Sequence, residues 1–183
     1  AYLRPGFAFG GSCLPKELRA TAHLAKIHDV EIPMLASVMQ FNREHLQLAL
    51  DKLIATGKRK IGLTGLSFKS GTDDLRESPL VTIAEQLIGK GMQLAVYDPA
   101  VRLSQLLGAN RRYIETHLPH IGKLLRAEIG DVIKESEVLV VGLSGPEIIK
   151  DLEQFCQPGQ VVLDLVRIAD GSAIRAEVQG LCW

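Results

Sequence analysis

Apolar positions along this chain follow two rhythms. From near Pro33 to Ala55, Met34, Leu35, Val38, Met39, Leu46, Leu50, Leu53 and Ile54 recur at roughly helical spacing, and Gly57 suits a stop. A shorter helix is predicted before it, from Pro15, whose fixed φ suits a first helical position, to about Ile27. Beyond Gly57 the apolar residues gather into short runs: Lys60–Leu66, Leu94–Asp98, Val138–Gly142 and Val161–Leu165. Such near-continuous Val/Leu/Ile runs are what parallel strands covered on both faces require. Helices are predicted between them over Pro79–Ile88, Ile129–Ser136 and Glu147–Phe155. Ser78 is placed to cap the first of these, and Gly89 or Gly91 to end it. Residues 100–127 are less regular and predict a short helix and a short strand.

The alternation gives an α/β fold: a Rossmann-like parallel sheet flanked by helices over residues 58–183. Residues 1–57 form a separate part, a glycine- and proline-rich loop followed by two helices of an incomplete helical unit. No internal repeat or low-complexity segment interrupts this plan.

Composition narrows the partners. Lys plus Arg equals Asp plus Glu at 21 each, so no basic surface argues for nucleic acid or an anionic membrane. No apolar stretch approaches the roughly 20 residues that span a bilayer. The start has no signal-peptide architecture and no initiator methionine, as expected of a piece of a longer, cytoplasmic protein. Three cysteines, Cys13, Cys156 and Cys182, are too few and too scattered for a disulfide framework or a zinc site. Asp73-Asp74 reads as turn chemistry, and His117-x-x-His120 lacks further ligands, so no metal site is expected.

The sharpest chemical feature is Gly10-Gly11-Ser12-Cys13-Leu14-Pro15-Lys16-Glu17. Two glycines let the backbone approach a ligand, and the cysteine stands just before a helix start. The positive end of the helix dipole and the nearby Lys16 both favour its thiolate. The competing reading is a small buried residue, which nothing disturbs for Cys156 and Cys182. A second block, Ser67-Phe68-Lys69-Ser70-Gly71-Thr72-Asp73-Asp74-Leu75-Arg76-Glu77-Ser78-Pro79, follows the first predicted strand. Its Lys69 and Arg76 suit anionic groups, or pair with Asp73, Asp74 or Glu77.

With Arg4-Pro5-Gly6-Phe7-Ala8-Phe9 ahead of the diglycine, the first block resembles the active-site signature of the UDP-glucose/GDP-mannose dehydrogenase family. The second block resembles that family's other signature, and the likeness runs over essentially the whole chain. The wording of both blocks is closer to GDP-mannose than to UDP-glucose members. The resemblance implies an NAD-dependent enzyme that oxidises GDP-mannose to GDP-mannuronate, a precursor of acidic polysaccharide. It takes four electrons through a cysteine thiohemiacetal and thioester. By the resemblance Cys13 is the nucleophile, Lys16 and Arg76 contact NAD, and Lys69 reaches the nucleotide sugar. Tyr2, Arg4, Phe7 and Gly10 match loop positions lining the sugar-nucleotide site. The helices before residue 57 would belong to a central dimerisation domain, making the whole protein a homo-oligomer.

Glu17 departs from the pattern, since the family usually has aspartate there, where it helps arrange the hydrolytic water. An acid in the first helical turn is also favourable without catalytic duty. Asp98 ends a strand where an acid often binds the ribose of NAD. The resemblance instead puts the NAD-binding domain upstream, so this chain alone is expected to be inactive and Asp98 to be structural. A UDP-sugar dehydrogenase and a non-catalytic nucleotide-binding module remain the alternatives.

Overall fold

The computed structural model describes residues 6–69, 71–101, 108–118, 121–168 and 171–181. Two helices open the chain, α1 (Leu14–Ile27) and α2 (Pro33–Ala55). Then follow β1 (Lys60–Thr64), α3 (Pro79–Gly89), β2 (Gln93–Tyr97), α4 (Gly108–His117) and α5 (Ile121–Leu124). The chain continues through α6 (Ile129–Glu135), β3 (Val138–Val141), α7 (Pro146–Phe155), β4 (Val161–Asp164) and β5 (Glu177–Gly180).

The strands form one parallel sheet in the order β2-β1-β3-β4-β5. Alternate side chains sort it into two cores. Ile61, Leu63, Leu94, Val96, Val138, Val140 and Leu163 face one layer, with α3 and the last turns of α2, where Ala49, Leu50 and Leu53 are fully buried. Ala95, Leu139, Val141 and Val162 face the other, with α6 and α7. The expected α/β class with a parallel sheet flanked by helices is therefore the observed one.

Ser78 caps α3 as the sequence suggests, its Oγ accepting the Leu80 N–H at 3.2 Å. The first helix begins one residue before Pro15, because the Cys13 carbonyl already accepts the Glu17 N–H at 2.9 Å. In place of a short helix and strand over 100–127, the described residues of that stretch hold two helices and a parallel bridge, Val96–Leu125. The fifth strand has no sequence signal: Glu177-Val178-Gln179-Gly180 holds one aliphatic residue, and that residue is 37% exposed. Pairing along β4 and a hydrogen bond from Lys52 Nζ to the Gly180 carbonyl (2.8 Å) hold it instead.

The N-terminal helices differ from the rest in what they bury. In α1 only Pro15 is buried, and Leu24, Ile27, Met34 and Phe41 are more than half exposed. Among the described residues no helix is long and apolar enough to cross a membrane.

Candidate active site

The order β2-β1-β3-β4-β5 has its switch point between β1 and β3, where chain connections leave toward opposite faces of the sheet. Ligands of open α/β sheets bind outside the carboxyl ends of the strands at such a point. A crevice of about 440 Å³ lies there. Phe7, Phe68, Lys69, Leu80, Ser144 and Val166 are among its walls. A larger groove of about 670 Å³ runs between the loop at Phe7–Phe9 and the exposed face of α2, past Met34, Phe41 and His45. It is the smaller crevice that has the second sequence block and a lysine in its wall, so the chemistry points there.

Asp98 builds the floor. Its carboxylate accepts the N–H groups of Leu66 (2.7 Å), Ser67 (3.1 Å) and Ala100 (2.9 Å), and the Ser67 hydroxyl (3.2 Å). It is buried, with three bonds shaping the turn after β1 and one its own turn after β2, in keeping with the structural role expected of it. Asp98→Ala would strand two buried amides, and we expect a loss of about 2–4 kcal/mol. Urea unfolding with an unchanged slope but a lower midpoint checks this.

The second block folds back on itself above that floor. Asp74 accepts from the Arg76 backbone N–H (3.0 Å), Nε (2.9 Å) and Nη2 (2.8 Å). The pairing of a loop arginine with a loop acid is thus realised, and it holds the Asp74 carboxyl below its ordinary range. The same fork raises the Arg76 pKa. Lys69 Nζ lies 5.5 Å from the centre of the Phe68 ring, at the crevice wall.

The first block docks onto the second. Asn42 of α2 clamps the loop, its side chain bonding both the N–H and the carbonyl of Phe9 at 2.9 Å. Phe7 is buried in the core. The Gly11 N–H donates to the Arg76 carbonyl at 3.1 Å. Gly11 has a φ of 85°, and a Cβ there would lie 3.0 Å from the Phe68 ring. A Cβ at Gly10 would overlap the Glu77 carbonyl oxygen. Beyond these glycines Cys13 occupies the N-cap position of α1, exposed and without a side-chain capping bond, with Ser12 Oγ 3.8 Å from its sulfur. Further along α1, Arg19 grips Glu77 with two bonds, at 3.0 and 2.7 Å. That fork raises the Arg19 pKa and lowers that of Glu77.

Of the expected site residues, Phe7 and Lys69 line the crevice, whereas Gly10 lies behind it against Glu77. Lys16 and Glu17 are exposed and pair with each other at 3.4 Å. Tyr2 and Arg4 lie outside the described residues. Sequence reading did not find Asn42, Arg19 or the structural use of Glu77. Only Glu77 carried a signal, by falling inside the second block.

A family model described as UDP-glucose/GDP-mannose dehydrogenase family, UDP binding domain, matches residues 62–171. A second, the central domain of the same family, matches residues 1–44. The chain belongs to the UDP-glucose/GDP-mannose dehydrogenase family. Within that family it is 48% identical over 182 residues to GDP-mannose 6-dehydrogenase of Pseudomonas aeruginosa, covering 100% of this chain and 41% of that relative. It is 28% identical over 186 residues to UDP-glucose 6-dehydrogenase of Rickettsia felis, covering 95% and 39%. A crystal structure of a ternary complex of the Pseudomonas aeruginosa GDP-mannose dehydrogenase superimposes with a TM-score of 0.86 at 47% identity, over 100% of this chain and 41% of that one. The chain thus spans about two fifths of the curated relatives it matches, aligning with their carboxy-terminal part.

The other described cysteine is buried where Cys13 is exposed. Cys156 is packed in the core with α6 and α7, as expected, and burial pushes its thiol from 9.0 to about 11. A raised thiol stabilises the fold below the unfolded value and loses that contribution as pH rises through the folded one. Stability should therefore decline between pH 9 and about 11, in a step that Cys156→Ala removes. Thermal melts across that range check it.

Proposed function

We propose that the full-length protein is an NAD-dependent GDP-mannose 6-dehydrogenase and that this chain supplies its nucleophile, Cys13, and its nucleotide-sugar crevice. The docking of the Cys13 loop onto the 67–79 block, beside a crevice at the switch point, carries this reading. The high identity to the Pseudomonas relative over this entire chain supports the choice of substrate.

Phe7 and Lys69 hold the nucleotide sugar, Lys69 by charge. By the family resemblance Tyr2, Arg4 and Gly10 would also line the nucleotide-sugar site. Arg76 fits an anionic partner, because Asp74 engages Nε and Nη2 while the side chain stays 42% exposed. Lys16 fits likewise, being exposed, and these two would touch the phosphates of NAD. NAD⁺ supplies the hydride acceptor for both oxidations.

The first oxidation turns the C6 alcohol into an aldehyde. The Cys13 thiolate then adds to the aldehyde carbon, forming a C–S bond and a tetrahedral thiohemiacetal from which a second hydride can leave. The resulting thioester is cleaved by water, which breaks the C–S bond and returns the carboxylate product and the thiol. Glu17, one methylene longer than the aspartate usual in the family, would help arrange the hydrolytic water. The exposed apolar side chains of α1 and α2 support assembly as a homo-oligomer.

Initial rates of NADH formation by the full-length protein with GDP-mannose and with UDP-glucose test the assignment. We expect kcat/KM to favour GDP-mannose by about a hundredfold or more. A preference for UDP-glucose overturns the substrate, and no NADH from either favours a non-catalytic nucleotide-binding module.

A further inference from the structure

The contacts that seat Cys13 are unevenly spread along the chain. On its N-terminal side the loop rests on backbone: Gly10 against the Glu77 carbonyl, Gly11 hydrogen-bonded to Arg76 and lying against the Phe68 ring. On its C-terminal side α1 offers almost no apolar anchor, with Pro15 alone buried. Among the described residues, the fork between Arg19 and Glu77 links it to the second block. Glu77 is held at a φ of 50°, uncommon for a residue with a side chain. In that conformation its carbonyl meets Gly10 while its carboxylate meets Arg19, so one residue touches the chain on both sides of Cys13.

We infer that Arg19 and Glu77 are a positioning pair that fixes the start of α1, and with it the Cys13 sulfur, relative to the nucleotide-sugar crevice. This rests on the assignment of Cys13 as the nucleophile. An exposed ion pair contributes little to stability, so a merely structural role predicts little effect of its removal on anything. A positioning role predicts a change in the step that needs the thiol. If the sulfur is misplaced, the aldehyde made in the first oxidation is captured more slowly and escapes.

The test uses the full-length protein with Arg19→Met, Glu77→Gln and the double variant. Each single change should lower kcat about tenfold, within the cost of a displacement of under about 1 Å. KM for GDP-mannose should stay within about twofold, and NADH per GDP-mannose should fall below two as free aldehyde appears. The double variant should be no worse than either single one, since both remove the same fork. Arg19→Lys, which keeps the charge but not the two-pronged geometry, should recover only part of the loss. Unchanged kcat and yield in the single variants, or losses that multiply in the double, overturn the inference. Hydrogen exchange at the amides from Gly11 to Arg19 gives a readout that needs no turnover. Faster exchange in the variants supports the pair, and unchanged exchange contradicts it even if the wild type oxidises no sugar nucleotide. Absence of turnover in the wild type counts against the enzyme assignment alone.

Discussion

Replacing Cys13 by serine in the full-length protein is expected to lower carboxylate formation from GDP-mannose by at least about a thousandfold. Serine nearly matches cysteine in shape, so the change isolates the nucleophile. At neutral pH a hydroxyl supplies far less anion than a thiol, and it has no helper visible at this position. Ser12 Oγ, 3.8 Å away, is the hydrogen-bond partner the sulfur has among the described residues. The side chain is exposed, so its loss should leave the melting temperature within about 2 °C. KM should change little, because Phe7 and Lys69 in the crevice wall are untouched. Steady-state NADH assays with a parallel thermal melt check all three points. Turnover within tenfold of the wild type would remove Cys13 from the chemistry.

A single methyl group at Gly10 should do nearly as much damage from behind the site. The Cβ of alanine would overlap the Glu77 carbonyl oxygen and lie 2.8 Å from Pro79 Cδ. Backbone and a proline ring at the start of α3 form that wall, so the loop must retreat instead. A shift on the order of 1 Å at Cys13 would cost about a hundredfold in kcat. The lost packing should reduce stability by about 1–3 kcal/mol. Gly89→Ala is the control: nothing lies within 4 Å of its Cβ, and it sits at the end of a helix. That variant should keep wild-type kcat and stability.

How much of this was legible in the sequence follows from where the signals live. Buried strands announce themselves because both faces must be apolar, and β1, β3 and β4 fall inside the predicted runs. The strand β5 is defined by hydrogen bonds to β4 and by Lys52, which leave no mark on side-chain pattern. The two blocks stood out because close backbone approach selects glycine and anion binding selects lysine and arginine. Their contact with each other was not readable, since residues 10–11 and 76–77 are joined only through the fold. Arg19 and Asn42 look like ordinary surface residues of amphipathic helices until the loop they hold is seen. Asp98 shows the converse case: a strand-end acid invites a ribose, and only its hydrogen bonds show that the turns after β1 and β2 consume it.

A covalent bond between substrate and the Cys13 sulfur is the central proposed step, and acid quenching of the full-length protein during turnover of GDP-mannose with NAD⁺ looks for that bond directly. A peptide containing Cys13 should carry the added mass of the sugar nucleotide as a thioester, accumulating as the second NADH forms and absent without NAD⁺. Two NADH per GDP-mannose with no adduct at Cys13 in any quenched sample would contradict it.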